Sequence, residues 1–141
     1  MAVAGKNSVH KLDNSSGTLV DLSGYFQSAS GIEEMSEMLD TSAFGDTSKS
    51  FIPGLEGGAT MTLTGQWHAT AKAHFDALRT AQRAGDGPWT YEYSPAGTGS
   101  GSAKTSVEVY VKNVRPGTDV NGLVTLEVTL QGTGDTTNGT H

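Results

Sequence analysis

With 141 residues the chain has the length of one packed domain, and two would leave neither with an adequate core. Nine Lys and Arg stand against 15 Asp and Glu, a formal net charge of −6, which argues against a surface that grips nucleic-acid phosphates. The absence of cysteine excludes a disulfide framework, a thiolate metal site and a cysteine nucleophile; 19 glycines and only 17% charged residues point to a β-rich, turn-filled chain.

The elements follow in chain order. Residues 1–7 read as a loose arm, too short and polar for a signal peptide, and no apolar run reaches the roughly 18–20 residues of a membrane span. Short strands are predicted at 8–12 and 18–23, around the turn cluster Asp13-Asn14-Ser15-Ser16-Gly17, with a further strand over 24–30. The capping-box spacing of Ser30 and Glu33, with Ile32, Met35 and Leu39 on one face, predicts a helical turn at 32–37 that gives way to a strand over 38–44.

From 42 to 58 the periodicity stops among Gly45, Pro53, Gly54, Gly57 and Gly58, which predicts a long loop. That loop carries Phe44, Phe51, Ile52 and Leu55, four large apolar groups that a merely solvated loop has no reason to hold. An Ω-loop packed on itself and a partner surface are the two readings.

Residues 59–67 alternate strictly, with Met61, Leu63 and Trp67 on one face and threonines on the other, and predict a strand. Thr70 is then expected to cap a helix over 71–84 whose stripe is Ala71, Phe75, Leu78 and Gln82, stopped by Gly85. A strand at 88–93 and a flexible loop at 94–102 follow. Two strong strands at 105–114 and 123–131 read as an antiparallel hairpin, and 132–141 as a polar, mobile tail. The predicted fold is a β-sandwich or partly open β-barrel of about seven strands with one helix packed against it, in a single domain spanning 1–141.

Catalytic and cofactor signatures are missing, and no metal or cofactor is expected. The stretch from Gly97 to Thr105 lacks the glycine spacing of a phosphate loop and is followed by a strand instead of a helix. His68 and His74 are six apart across a strand–helix junction, unlike a helical ligand pair. Asp119-Val-Asn121-Gly122 lacks the closing acid of a calcium loop, and no serine sits in a G-x-S-x-G elbow. Glu33, Glu34, Glu37 and Asp40 read as a solvated acidic face, and enzymatic activity is not expected. A glycan-binding β-sandwich is an alternative in which Trp67, Trp89 and Tyr91 form a stacking platform, although Trp67 and Trp89 read better as core anchors.

The order Leu22-Ser-Gly-Tyr25, then T-x-x-F-G-D-x-x-K-x-x-I-x-G-L over Thr41–Leu55, then Leu63-x-Gly65-x-Trp67 and an alanine-rich helix, resembles the major tail (tail tube) proteins of long-tailed bacteriophages. The likeness runs over about residues 18–131. It departs at His68, where Asp is expected to open the helix, and over the acidic, methionine-containing stretch 33–40.

The resemblance implies a structural subunit of the virion tail, assembled in the bacterial host cytoplasm. It implies hexameric rings whose sheets join edge to edge and stack into a tube, with tape-measure, tail-tip and tail-terminator proteins as partners. Viral DNA passes through the lumen without specific binding, and no membrane is involved. Phe44, Asp46, Lys49, Phe51, Ile52 and Leu55 become the expected inter-subunit contacts. Asp40, Glu108 and Glu127 become candidates for an acidic lumen, which suits passage of a polyanion. A ring-forming inner tube of a bacterial secretion or injection apparatus is the neighbouring alternative.

Overall fold

A computed structural model describes residues 5–30, 36–45, 47–56, 58, 60–118, 120 and 122–141, with the backbone alone for Leu55, Glu56 and Asp135. Its strands are β1 (Val9–Asp13), β2 (Leu19–Asp21), β3 (Ser28–Ala29), β4 (Ser36–Asp40), β5 (Phe51–Glu56), β6 (Thr60–Gln66), β7 (Trp89–Ser94), β8 (Ala103–Gly117) and β9 (Thr125–Thr140). One helix, α1 (Ala69–Arg83), is inserted between β6 and β7. Seven strands form one antiparallel sheet in the order β2-β1-β7-β8-β9-β6-β3, and β4 pairs with β5 separately.

The β8–β9 hairpin is the spine. Val107, Val109 and Val111 of β8 and Leu126, Val128 and Leu130 of β9 are all buried, so period-2 alternation places one apolar face of each strand inward. Val114 also packs against the core, three residues after Val111, which a regular strand forbids. The register shifts between Val111 and Asn113, so Lys112 is the extra residue of a bulge that restores Val114 to the inner face.

The sheet must curl. The two edge strands β2 and β3 are consecutive in sequence, and the seven steps from Asp21 to Ser28 span at most about 25 Å. In a flat seven-stranded sheet the outer strands stand six spacings, or about 29 Å, apart. A 3-10 turn at Ser23–Tyr25 shortens the link further. The edges therefore approach one another without pairing, and the result is a partly open barrel.

Helix α1 covers the inner face. Ala71, Phe75 and Leu78 are buried, and Phe26 meets the Phe75 ring edge-on at 5.9 Å. Gln82, at the end of the predicted stripe, ties helix to sheet: its carbonyl accepts from Val111 N at 2.7 Å and Trp89 Nε1 at 2.9 Å, and its amide donates to the Val111 carbonyl. The helix is capped by His68, whose Nδ1 accepts from Thr70 N at 3.2 Å; an imidazole does here what the sequence reading assigned to Thr70.

Several expectations are corrected. The loop predicted at 42–58 is a β-hairpin whose turn region is 41–50, because Phe51 and Ile52 are good strand residues and Pro53 is tolerated beside a bulge in a two-stranded sheet. Of the helical turn expected at 32–37, residues 32–35 lie outside the described residues, while Ser36 and Glu37 are already in β4. The strand expected to reach 44 stops at Asp40, whose Oδ1 accepts from Ser42 N and turns the chain. The strand expected over 24–30 is reduced to the 3-10 turn and the two residues of β3. Of the arm at 1–7, residues 1–4 lie outside the described residues and Gly5–Asn7 forms a 3-10 turn.

The tail expected to be mobile over 132–141 is the second half of β9. It pairs with 103–106, Thr105 Oγ1 donates to Asn138 Oδ1 at 2.7 Å, and His141 Nε2 lies 2.8 Å from Ser94 Oγ. Its glycines misled the reading, since ladder hydrogen bonds need no side chain. Trp67, expected in the core, is 43% exposed, whereas Trp89 is buried as expected.

Gly65 explains how two sequence motifs meet. A Cβ there would fall on the Tyr25 carbonyl oxygen and the Phe26 Cα, so the 22–25 segment lies directly on β6. Gly65→Ala is therefore expected to destabilise the fold by about 1–3 kcal/mol, measured by urea unfolding. An unchanged midpoint would contradict this close approach.

Burial holds His10 and His74 below the ordinary imidazole range. For His10 the attraction of Asp21 opposes the shift, and for His74 a hydrogen bond to the Asp13 backbone does. His10 Nδ1 lies 2.7 Å from the hydroxyl of Tyr91, a phenol that burial keeps neutral, and its ring stacks on Tyr93. Because the unfolded chain takes up these protons more readily, their stabilising contribution is complete above pH about 6.5 and declines as pH falls below it. Thermal melts should show stability decreasing from pH 7 to pH 5, and a His10→Asn/His74→Gln double variant should show a flatter dependence. Equal slopes in both proteins would refute the assignment.

Candidate assembly surface

The β4–β5 hairpin is the most unusual feature of the described residues. Its strands pair with each other, Leu39 opposite Ile52 and Asp40 opposite Phe51, and neither packs extensively on another element. An isolated two-stranded hairpin is marginal in water. This one also exposes Met38, Leu39, Phe44, Phe51 and Ile52; Phe51 and Ile52 each keep about half their surface in solvent, at 53% and 50%. Both faces carry apolar groups: Leu39 and Ile52 on one, Met38 and Phe51 on the other.

Of the contact residues expected from sequence, the structure brings Phe44, Lys49, Phe51 and Ile52 together as exposed groups of this hairpin. Asp46 and the side chain of Leu55 lie outside the described residues. Met38 and Leu39, missed as surface groups, join them from the paired strand. The sequence reading sets Leu39 on one helical face with Ile32 and Met35 and gives Met38 no surface role.

The three acidic candidates separate. Glu108 and Glu127 sit on the face of the large sheet opposite the core, between buried neighbours on either side. Thr90 Oγ1 donates to Glu108 Oε1 at 2.7 Å, and Glu127 stands opposite Thr64 and Arg115 in the ladder. Asp40 belongs to the hairpin, where the Ser42 amide and hydroxyl hold its carboxyl below the usual range. A fourth acid, Glu92, is buried on β7 with its Oε1 3.6 Å from His141 Nε2.

A second exposed apolar group lies at the far end of β6. Trp67 N donates to the Val124 carbonyl at 2.8 Å, extending the β6–β9 ladder by one step, and Val120, Leu123 and Val124 are exposed around the β8–β9 turn. Trp67 and Val124 continue the inner-face alternation of Gly65 and Leu126 beyond the first turn of α1, which leaves them uncovered.

A cavity of about 620 Å³ opens between β1, β7 and β3, lined by Lys6, Ser8, His10, Ser23, Phe26 and Tyr93 among others. It is the mouth of the unclosed barrel. Among the described residues, no group of three His, Cys, Asp or Glu is placed to hold a metal ion. Trp89 and Tyr91 are buried in the core, so the stacking platform imagined for a glycan binder does not exist.

No family model and no curated protein matches the sequence. Solved structures do match in fold. One is a chain from the tail of an empty gene transfer agent particle, refined helically with C6 symmetry, with TM-score 0.73 and 15% identity over 98% of this chain and 99% of that one. Another is from a sheath–tube complex of an extracellular contractile injection system in its extended state, with TM-score 0.72 and 16% identity over 99% and 93%. A third is from the SPP1 tail tube, with TM-score 0.69 and 13% identity over 99% and 80%. The protein has the fold found in these tube assemblies.

Proposed function

We propose that the protein is the structural subunit of a phage tail tube, assembling as stacked hexameric rings around a channel for viral DNA. The observation that carries this reading is the β4–β5 hairpin. It is an apolar two-stranded element that its own chain leaves uncovered, in a fold shared with chains of tail and sheath–tube assemblies. The role is structural, and the place of the protein is the virion tail, after assembly in the host cytoplasm.

Ring closure also suits the sheet. The outer edges of β2 and β3 present unpaired backbone groups, and a neighbouring copy satisfies them by joining sheet to sheet. In such a ring Glu108 and Glu127 are the candidates for the channel wall. Arg115, opposite Glu127, moderates the acidity without making a cationic surface that would hold phosphates. Tape-measure, tail-tip and terminator proteins are the expected further partners. The likeness to an injection-system tube supports the same ring and channel with a different cargo.

Negative-stain microscopy of concentrated protein tests the reading, with hollow tubes or rings expected. Replacing Phe51 and Ile52 with Asp should abolish tube growth while leaving circular dichroism unchanged, since both side chains are half exposed in the monomer. Normal tubes from that variant would show that the hairpin is not a contact surface.

A further inference from the structure

Ser94 and Glu92 are the buried polar side chains among the described residues, and one imidazole meets both. His141 Nε2, just past the end of β9, lies 2.8 Å from Ser94 Oγ and 3.6 Å from Glu92 Oε1. Both partners belong to β7 and alternate with Trp89 and Tyr91, so they stand on the sheet face opposite the core. Lys11 of β1 and Ser106 of β8 flank Glu92 in the ladder on that face. Strand β8 separates β7 from β9, so the His141 side chain straps across a whole strand, two spacings or about 10 Å.

The stretch of β9 that leads to His141 is set apart from the rest of the strand. Up to Gln131, β9 pairs with β6 on one side and β8 on the other; beyond it, β9 pairs with β8 alone among the described residues. Ser106 pairs with Thr137 and Glu108 with Thr133, so residues 134–136 stand against the single residue Val107. This bulge interrupts the ladder, and within it Gly134 takes a φ of +77°, a conformation that a side chain would strain. Beyond it Thr137, Asn138, Gly139 and Thr140 are all exposed, and none is a large apolar residue. The Thr105–Asn138 hydrogen bond is exposed too, and water competes for it. A ladder of this kind opens readily unless something holds it. His141, with 16% of its side chain in solvent, is what the segment buries.

We infer that residues 137–141 form a flap on the end of the sheet, hinged at Gly134 and latched by His141 on Ser94 and Glu92. Closed, the flap covers the β8 edge at 103–106 and keeps the two polar groups of β7 out of water. The same residue fastens the turn before β8: Gly101 N donates to the His141 carbonyl, and His141 N donates to the Ser102 carbonyl. Open, the flap leaves the backbone groups of 103–106 free to pair with another chain, so the latch guards an edge of the β8–β9 spine.

Amide hydrogen exchange on the dilute protein, before any assembly, tests this. His141→Ala and Ser94→Ala should each speed the exchange of 136–141 and 103–106 at least tenfold, while 107–111 and 126–131 stay as slow as in the unaltered protein. Ser94→Ala acts from β7, two strands away, and removes a single oxygen. The double variant should exchange no faster than His141→Ala alone, because both substitutions break one contact. Unchanged exchange of 136–141 in either single variant would overturn the latch. Additive effects in the double variant would overturn it as well, since Ser94 and His141 would then act separately. Acceleration of 107–111 and 126–131 by the same factor would show that the segment opens only with the whole sheet, and would overturn the flap.

Discussion

Everything in this structure follows from a shortage of cover. A seven-stranded sheet has an inner apolar face that one helix of 15 residues must close, and α1 does so only between Ala71 and Gln82. The core beneath it is well made, with Leu12, Leu63, Phe75, Val109, Val128 and Leu130 at or near zero exposure. Beyond the helix's reach the same alternation continues into solvent at Trp67 and Val124. Among the described residues, the β4–β5 hairpin packs extensively on no helix and no other strand. Hydrophobic burial is proportional to area removed from water, so these surfaces are an unspent driving force for association.

Topology converts that shortage into direction. The short link from β2 to β3 forces the sheet to curl, and the curl leaves two unpaired edges close together at the mouth of the barrel. Open edges are templates for a further strand, and the hairpin adds uncovered apolar surface beside them.

Much of this was legible in the sequence because alternation and helical spacing report burial directly. The strand around Met61 and Leu63 was read with nearly its observed bounds, and the inward positions Val107 to Val111 and Leu126 to Leu130 and the stripe of α1 were read correctly. The failures share a cause: backbone pairing outweighed local composition. Pro53 and Gly54 argued against a strand, yet they sit in a two-stranded hairpin where a missing N–H costs little. The glycines and threonines after Leu130 looked like a tail, yet β8 runs alongside them. Trp67 had the parity of a core residue, but parity does not tell where the covering helix begins. His68 as a cap was unreadable because imidazole is an uncommon capping acceptor. The exposure of Phe51 and Ile52 was visible only as apolar groups in a segment with no periodicity to bury them.

The central claim is that the hairpin becomes covered only when copies meet. Amide hydrogen exchange, followed by mass spectrometry on dilute and on assembled protein, tests it directly. The account predicts that residues 36–56 exchange fast when dilute and slowly when assembled, while residues 105–111 and 126–140 are protected in both states. Equal protection of 36–56 in the two states would contradict it.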